Sequence, residues 1–314
     1  MAKAKRIKGI KCKSVASAGI KLVLVTRFEE LYGFHELALD WSDPEGVHSM
    51  RVASRRLRSA LRDFTPHLRK RALSGVLKEL KDIADALGEV RDQDVAIMAL
   101  EKIVNHAPTE LAPALHEFIG AKREIRDRAR EELKATLEQT ELKQLESTFI
   151  ASVDEATATR DPAKPQITFQ EMSRVVILGR LKELEKLSVG LFQPFEIETL
   201  HDMRIAAKRL RYAIELFQQC WRRSIASYAK RSARIQTALG DVHDCDVWME
   251  SVGKEILSAR KQKQPDRVAA LMWLLSYLMK LRTKHLRDAF ACWRDWETQD
   301  VSGKLREILA VEPR

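Results

Sequence analysis

From Gly19 onward, apolar residues recur every three to four positions along most of the chain. That period lays a continuous apolar stripe on one side of a helix. Breaks fall at Trp41 to Gly46, Thr65 to Pro66, His106 to Pro113, Gln193 to Pro194 and Gln262 to Pro265. Proline, glycine or small polar residues mark most of these breaks and interrupt helical hydrogen bonding. The pattern predicts helices over 19–40, 44–64, 67–104 with a bend, and 110–147. A second set is predicted over 168–190, 196–218, 222–258 and 266–298.

The strongest interruption is ASVDEATATRDPAKPQI, residues 151–167, with two prolines and almost no large apolar side chain. It reads as an interdomain linker at the midpoint of the chain. The halves on either side resemble each other. His48 to Phe64, HSMRVASRRLRSALRDF, and His201 to Phe217, HDMRIAAKRLRYAIELF, are identical at nine of seventeen positions with an offset of 153 residues. Leu87 to Val95, LGEVRDQDV, returns as LGDVHDCDV from Leu239 to Val247 at an offset of 152. Two echoes in the same order imply a tandem duplication. The expected fold is therefore all-α, with two consecutive four-helix bundles. They would occupy 19–150 and 168–300, between a basic flexible tail at 1–18 and a C-terminal extension at 301–314.

Composition supports helices, since only 12 Gly and 9 Pro occur in 314 residues, 45% of them hydrophobic. No apolar run reaches the length of a membrane span. The four cysteines, Cys12, Cys220, Cys245 and Cys292, form no CxxC pair, so neither a zinc site nor a disulfide scaffold is expected and a reducing cytosol fits. Lys and Arg outnumber Asp and Glu by 55 to 45, a net charge of +10. Six of those positive charges lie in residues 1–18, which hold no acid. The balance points to an anionic partner.

The remaining basic charge is patterned. At 100° per residue, His48, Arg51, Arg55, Arg58 and Arg62 share a sector of roughly 80°. Met50, Ala53, Leu57, Leu61 and Phe64 form a separate, apolar face. The second copy repeats this with His201, Arg204, Lys208 and Arg211, and has Glu215 at the place of Arg62. Solvated helix faces normally mix charges at i,i+4, because like charges there repel. Met50 to Lys78 holds nine Lys or Arg and one acid, and so does Met203 to Arg234. Such a face calls for an external anion. Lys78 and Lys81 extend it in the first copy, and Lys230 and Arg234 in the second, where Ala233 stands at the place of Lys81; Arg223 aligns with Arg71. From His48 to Arg62 the stripe covers about 21 Å with a cation roughly every 5 Å, a match for a linear polyanion. No glycine-rich phosphate loop is present. Nucleic acid is the less favoured polyanion, since no aromatic falls on the first basic face for bases to stack on.

A lone histidine among arginines is a poor metal site, so His48 and His201 are expected to contact anions and no metal or other cofactor is expected. Asp92 and Asp94 lie about 200° apart on a helix and would not chelate one ion. Arg56 and Arg209 lie off the stripe. They are expected to pair with Asp92 or Asp94 and with Asp244 or Asp246, while Gly88 and Gly240 permit close approach or a bend.

His48-x-Met50-Arg51-Val52-Ala53-x-Arg55-Arg56-Leu57-Arg58, followed by Leu87-Gly88-x-Val90-Arg91-Asp92-x-Asp94-Val95, resembles the CHAD family, the conserved histidine α-helical domain. The resemblance covers about residues 19–300. It implies two pseudo-twofold four-helix halves whose basic faces line a shared cleft. It also implies binding of inorganic polyphosphate without catalysis, in the cytoplasm and at polyphosphate granules. Lys208, Glu215 and His243 depart from the first copy's Arg55, Arg62 and Arg91, so the first copy is expected to bind more strongly. The Glu-x-Glu-x-Lys strand of the triphosphate tunnel enzymes to which such domains are sometimes fused has no match. Glu196-Ile197-Glu198-Thr199-Leu200 lacks the lysine, and no catalytic residue is expected.

Overall fold

The computed structural model describes residues 4–158, 166–221 and 225–310. Among them the regular structure is all helical, α or 3-10, with one isolated antiparallel bridge between Val15 and Thr168. The helices are α1 (Ala16–Tyr32), α2 (His35–Ala38), α3 (Pro44–Phe64), α4 (Ser74–Val104), α5 (Ala112–Gln139) and α6 (Leu142–Thr157). They continue as α7 (Phe169–Leu187), α8 (Ile197–Phe217), α9 (Ala226–Lys261), α10 (Pro265–Thr298) and α11 (Val301–Ala310). The all-α expectation holds.

Several boundaries differ from the sequence pattern. The expected 67–104 helix begins only at Ser74, after 3-10 turns at Thr65–His67 and Lys70–Leu73. It then continues through Gly88, where an added Cβ would meet only an Arg51 guanidinium nitrogen at 3.9 Å; at Gly240 it would meet nothing within 4 Å. Neither glycine is needed for close approach. The expected 110–147 helix is broken at Glu141, whose φ of 40° is left-handed and ends the helical run. Glycine or asparagine usually marks such a break, so the pattern gave no warning. Residues 151–157 of the expected linker are the last turns of α6, held by buried Val153 and Ala156, and 159–165 lie outside the described residues. The C-terminal extension contains α11, with Val301, Leu305 and Leu309 buried at i, i+4 and i+8.

From residue 4 the basic tail is tied down. Ile7 is buried, Lys5 pairs with Glu29 at 2.7 Å, and Phe169 and Gln170 donate backbone bonds to the carbonyls of Ser14 and Cys12. Lys3 lies outside the described residues. Cys245 and Cys292 are free thiols, whereas Cys12 is disulfide-bonded, so the expectation of a chain without disulfides fails there.

The chain divides into two compact units that are not the two sequence halves. The first is Met1–Asp94 with Glu124–Val176, and the second is Val95–Arg123 with Ile177–Arg314. The dividing points fall inside α4, α5 and α7. The reason is where apolar residues find partners: Ile97, Leu100 and Ile103 of α4 and Leu115, Phe118 and Ile119 of α5 belong to one core cluster with Val252, Ile256, Leu271, Leu274 and Leu278 of α9 and α10. In the first unit α3 packs on α1 and α2, and α6 on α1, where Phe28 and Phe149 stack with centroids 4.7 Å apart. Gly46 is required there, because a Cβ would fall 1.8 Å from the Leu37 carbonyl oxygen. In the second unit α9 packs on α8 and α10.

Each unit contains the same three-charge clamp, buried in the first and half-buried in the second. In the first, Glu30 of α1 accepts from Arg27 one turn earlier and from Arg56 of α3 at 2.6 Å. In the second, Glu183 of α7 accepts from Arg180 at 2.9 Å and from Arg209 of α8. All three members are related by an offset of 153 residues. Removing the central acid takes the shared carboxylate from two guanidinium groups, and breaking a buried ion pair typically costs about 3 to 5 kcal/mol. The side chain of Glu30 is 3% exposed and that of Glu183 24%. We therefore expect Glu30→Ala to lower the unfolding free energy by about 3 kcal/mol or more. Glu183→Ala should cost roughly 1 to 2 kcal/mol, because water reaches its partners. Urea unfolding followed by circular dichroism measures both, and equal losses would show that burial does not set the strength of the clamp.

Candidate functional site

The first basic stripe is carried by α3. Pro44 at its first position and the Asp43 side chain, which accepts from the Glu45 amide at 2.9 Å, start the helix. Its apolar face buries Val47, Met50, Ala53, Leu57, Leu61 and Phe64. His48, Arg51, Arg55 and Arg58 are half-buried and Arg62 is exposed. Arg55 and Arg58 have no carboxylate partner among the described residues. Arg51 pairs with Asp92 of α4 at 2.9 Å. On the same helix Lys78 is exposed, and exposed Lys81 pairs with Asp85 at 2.8 Å.

The expected pairing of Arg56 with Asp92 or Asp94 is corrected. Arg56 is held by Glu30, and Asp92 by Arg51. Asp94 is buried, and burial raises its pKa against the opposing pull of Arg130, Arg91 and Arg126. Arg130 also packs over the Trp41 ring at 5.4 Å. The same correction applies to the second copy, where Arg209 is held by Glu183 and buried Asp246 accepts from Arg282 of α10 at 2.5 Å. Arg282 also donates to the Pro194 carbonyl at 2.9 Å. Arg130 and Arg282 are 152 residues apart, the offset of Asp94 and Asp246. That spacing, and the Arg-x-x-Glu strings at 27–30 and 180–183, are the signals that sequence reading passed over.

The second stripe lies on α8, where His201, Arg204, Lys208 and Arg211 are all half-buried. Like the first, it is partly neutralised. Arg211 donates to Glu215 at 2.7 Å and lies 5.7 Å from the Tyr212 ring centroid. Lys230 of α9 is exposed, and Arg234 pairs with Asp295 at 3.3 Å. Lys230 and Arg234 border a shallow cavity of about 420 Å³ that also presents Asp241 and Asp288. Arg223 lies outside the described residues.

The histidines differ between the copies. Burial and the nearby Arg91 lower the pKa of His48. Burial and Arg204 lower that of His201, whose Nδ1 is 3.4 Å from Nδ1 of His243 and 3.5 Å from an Arg204 guanidinium nitrogen. His243 stands where the first copy has Arg91, and its pKa is pushed down to about 4 by burial, Arg204 and His201. Two adjacent imidazoles beside arginines are favoured in the neutral state. A neutral imidazole can donate its one N–H to a bound oxyanion.

Among the described residues no three His, Cys, Asp or Glu side chains are placed to hold a metal ion, and no helix is long and apolar enough to cross a membrane. Each unit thus presents an amphipathic helix with clustered cations, a surface suited to anions.

The chain belongs to the CHAD domain family, whose profile matches residues 23–253. An uncharacterized protein of Mycobacterium tuberculosis strain H37Rv, Rv2226, is 27% identical over 218 residues, and its counterpart in strain CDC 1551, MT2285, is 26% identical. The match covers 68% of this chain and 41% of each relative, so the chain spans about two fifths of their length. The crystal structure of the CHAD domain from the plant Ricinus communis superposes with a TM-score of 0.72 at 24% identity, covering 91% of this chain and 94% of that one. PptA from Streptomyces chartreusis gives 0.69 at 14% identity, covering 90% and 100%. These two likenesses establish the fold.

His243 supplies a pH test. Its folded pKa lies below the ordinary histidine value, so between pH 6.5 and about 4 the unfolded chain binds more protons. Stability is therefore lost as pH falls through that window. Replacing His243 by Gln should flatten the loss by on the order of 1 kcal/mol, after discounting for the solvent-facing part of the ring. Melting temperatures of both proteins at pH 7 and pH 5 measure it; parallel shifts would acquit His243.

Proposed function

We propose that this chain is a non-enzymatic module that binds inorganic polyphosphate along its basic helix faces. The observation that carries the reading is the outward stripe of α3: Arg55 and Arg58 stand without carboxylate partners among the described residues, while the neighbouring Arg56 is turned inward onto Glu30. Cations repeating about every 5 Å along one face suit a chain of phosphates better than one compact anion. His48, Arg51, Arg62, Lys78 and Lys81 complete the first face. His201, Arg204, Lys208, Arg211, Lys230 and Arg234 form the second. Glu215, which stands in the place of Arg62 and pairs with Arg211, supports a weaker second face. Association with polyphosphate granules follows as a proposal from the same chemistry.

Titration with long-chain polyphosphate and with single-stranded DNA of equal phosphate number, at low and near-physiological salt, tests the reading. The expected result is polyphosphate binding that persists at near-physiological salt while DNA binding collapses. Equal affinities with equal salt slopes would favour a general nucleic-acid or anionic-surface binder. Arg55→Glu combined with Lys208→Glu reverses one charge at the matching position of each stripe, away from both clamps. It should weaken polyphosphate binding tenfold or more with helicity unchanged, and an unaltered affinity would remove the stripes from the site. Phosphate release from the polymer would contradict the non-enzymatic reading.

A further inference from the structure

The C-terminal end of the first stripe is not a plain cationic surface. There the end of α3, the 3-10 turns after it and the start of α4 enclose a cavity of about 410 Å³. Its floor is apolar, built from the buried side chains of Leu61, Leu73 and Leu80. Leu68 and Leu77 form its walls, and Leu77 is 40% exposed. Arg58, Arg62, Lys70 and Lys81 stand at the rim, and among the described residues no carboxylate lines the cavity.

The second copy has no such chemistry at the matching positions. Arg62 is matched by Glu215, which pairs with Arg211, the counterpart of Arg58. Lys81 is matched by Ala233, and Leu68 by buried Trp221, whose ring supplies bulk where the first copy has a smaller side chain. Leu77 and Leu80 are matched by buried Ala229 and Ser232. The position matching Lys70 lies outside the described residues. Two copies that keep the stripe have thus diverged at one end of it, in charge and in apolar volume together.

We infer that this cavity binds a single-chain anionic amphiphile, a long-chain carboxylate, with its alkyl chain on the leucine floor and its head among the four cations. An apolar interior with a few polar groups at its edge is the usual build of a small-molecule site, and this volume lies toward the small end of the range for one. A polyphosphate chain has nothing to lay on Leu68 and Leu77, whereas a ligand with an apolar part would cover both. A carboxylate head among arginines and lysines gains charge-assisted hydrogen bonds. The inference stands whether or not the stripes bind polyphosphate.

The test is calorimetric titration of the full chain with decanoate below its micelle concentration. Decanol serves as the neutral-headed control and acetate as the chainless one, and vesicles of phosphatidylglycerol form a separate arm. One decanoate per chain is expected, with decanol and acetate each at least tenfold weaker. Arg62→Glu and Leu68→Trp install the second copy's residues, and each should weaken decanoate tenfold or more. Arg62 is exposed, so its variant keeps the test open if the tryptophan disturbs folding. No decanoate binding, or full affinity in folded Arg62→Glu, would overturn the inference. Acetate equal to decanoate would mean a plain anion site, and binding to vesicles alone would mean a membrane surface; either result would also overturn it.

Discussion

Rotation of the stripe helices about their own axes decides what this protein presents to its surroundings. Arg56 and Arg209 lie among the basic residues in sequence, and a helix turned by a third of a revolution would expose them and bury part of the stripe. Glu30 and Glu183 prevent this. Each carboxylate, reaching from the preceding long helix of its unit, captures the off-stripe arginine together with an arginine one turn away on its own helix. Taking a guanidinium out of water is tolerable only with a paired acid, so the register with the clamp formed is strongly preferred. The apolar face of each helix and its clamp thus specify the same orientation, and the remaining cations are directed outward as a consequence.

Duplication produced two copies under the same constraint and left them free to differ elsewhere. The clamps and the Asp94 and Asp246 positions are retained, although Glu183 is wetter than Glu30 and buried Asp246 has its own arginine at 2.5 Å. The outward groups have changed more. Arg91 has become His243, which places two imidazoles beside each other, and Arg62 has become Glu215, which neutralises Arg211. A polyanion would experience the first face as the stronger field, because Arg62 and Arg91 stand there where the second copy has Glu215 and His243. The second face carries neutral donors and partly compensated arginines in its place.

Family membership rests on the matched profile across residues 23–253, and the all-helical architecture on that profile together with two solved folds. Those relationships account for the architecture. Ligand chemistry has to be argued from this chain's own side chains, because the solved folds are distant in sequence and the curated relatives are uncharacterized and much longer.

The sequence by itself determined the all-α class, the duplication and the basic stripe, since helical period and charge spacing are properties of neighbouring residues. The stretch from His48 to Arg62 displays its two faces without any knowledge of what packs against it. It did not determine which acid would hold Arg56, because a carboxylate 26 residues upstream and one about 36 residues downstream are equally available to an unfolded chain. Packing of α1 on α3 made that choice. Nor did sequence order reveal that residues 95–123 belong with the second unit, since their leucines, isoleucines and phenylalanine would suit either core. The break at Glu141 and the anchoring of the basic tail were likewise decided by tertiary contacts, because a left-handed glutamate and a lysine-rich segment have no local signature of the places they occupy. Charge periodicity is written locally, whereas partner choice depends on distance in space, which only the folded chain supplies.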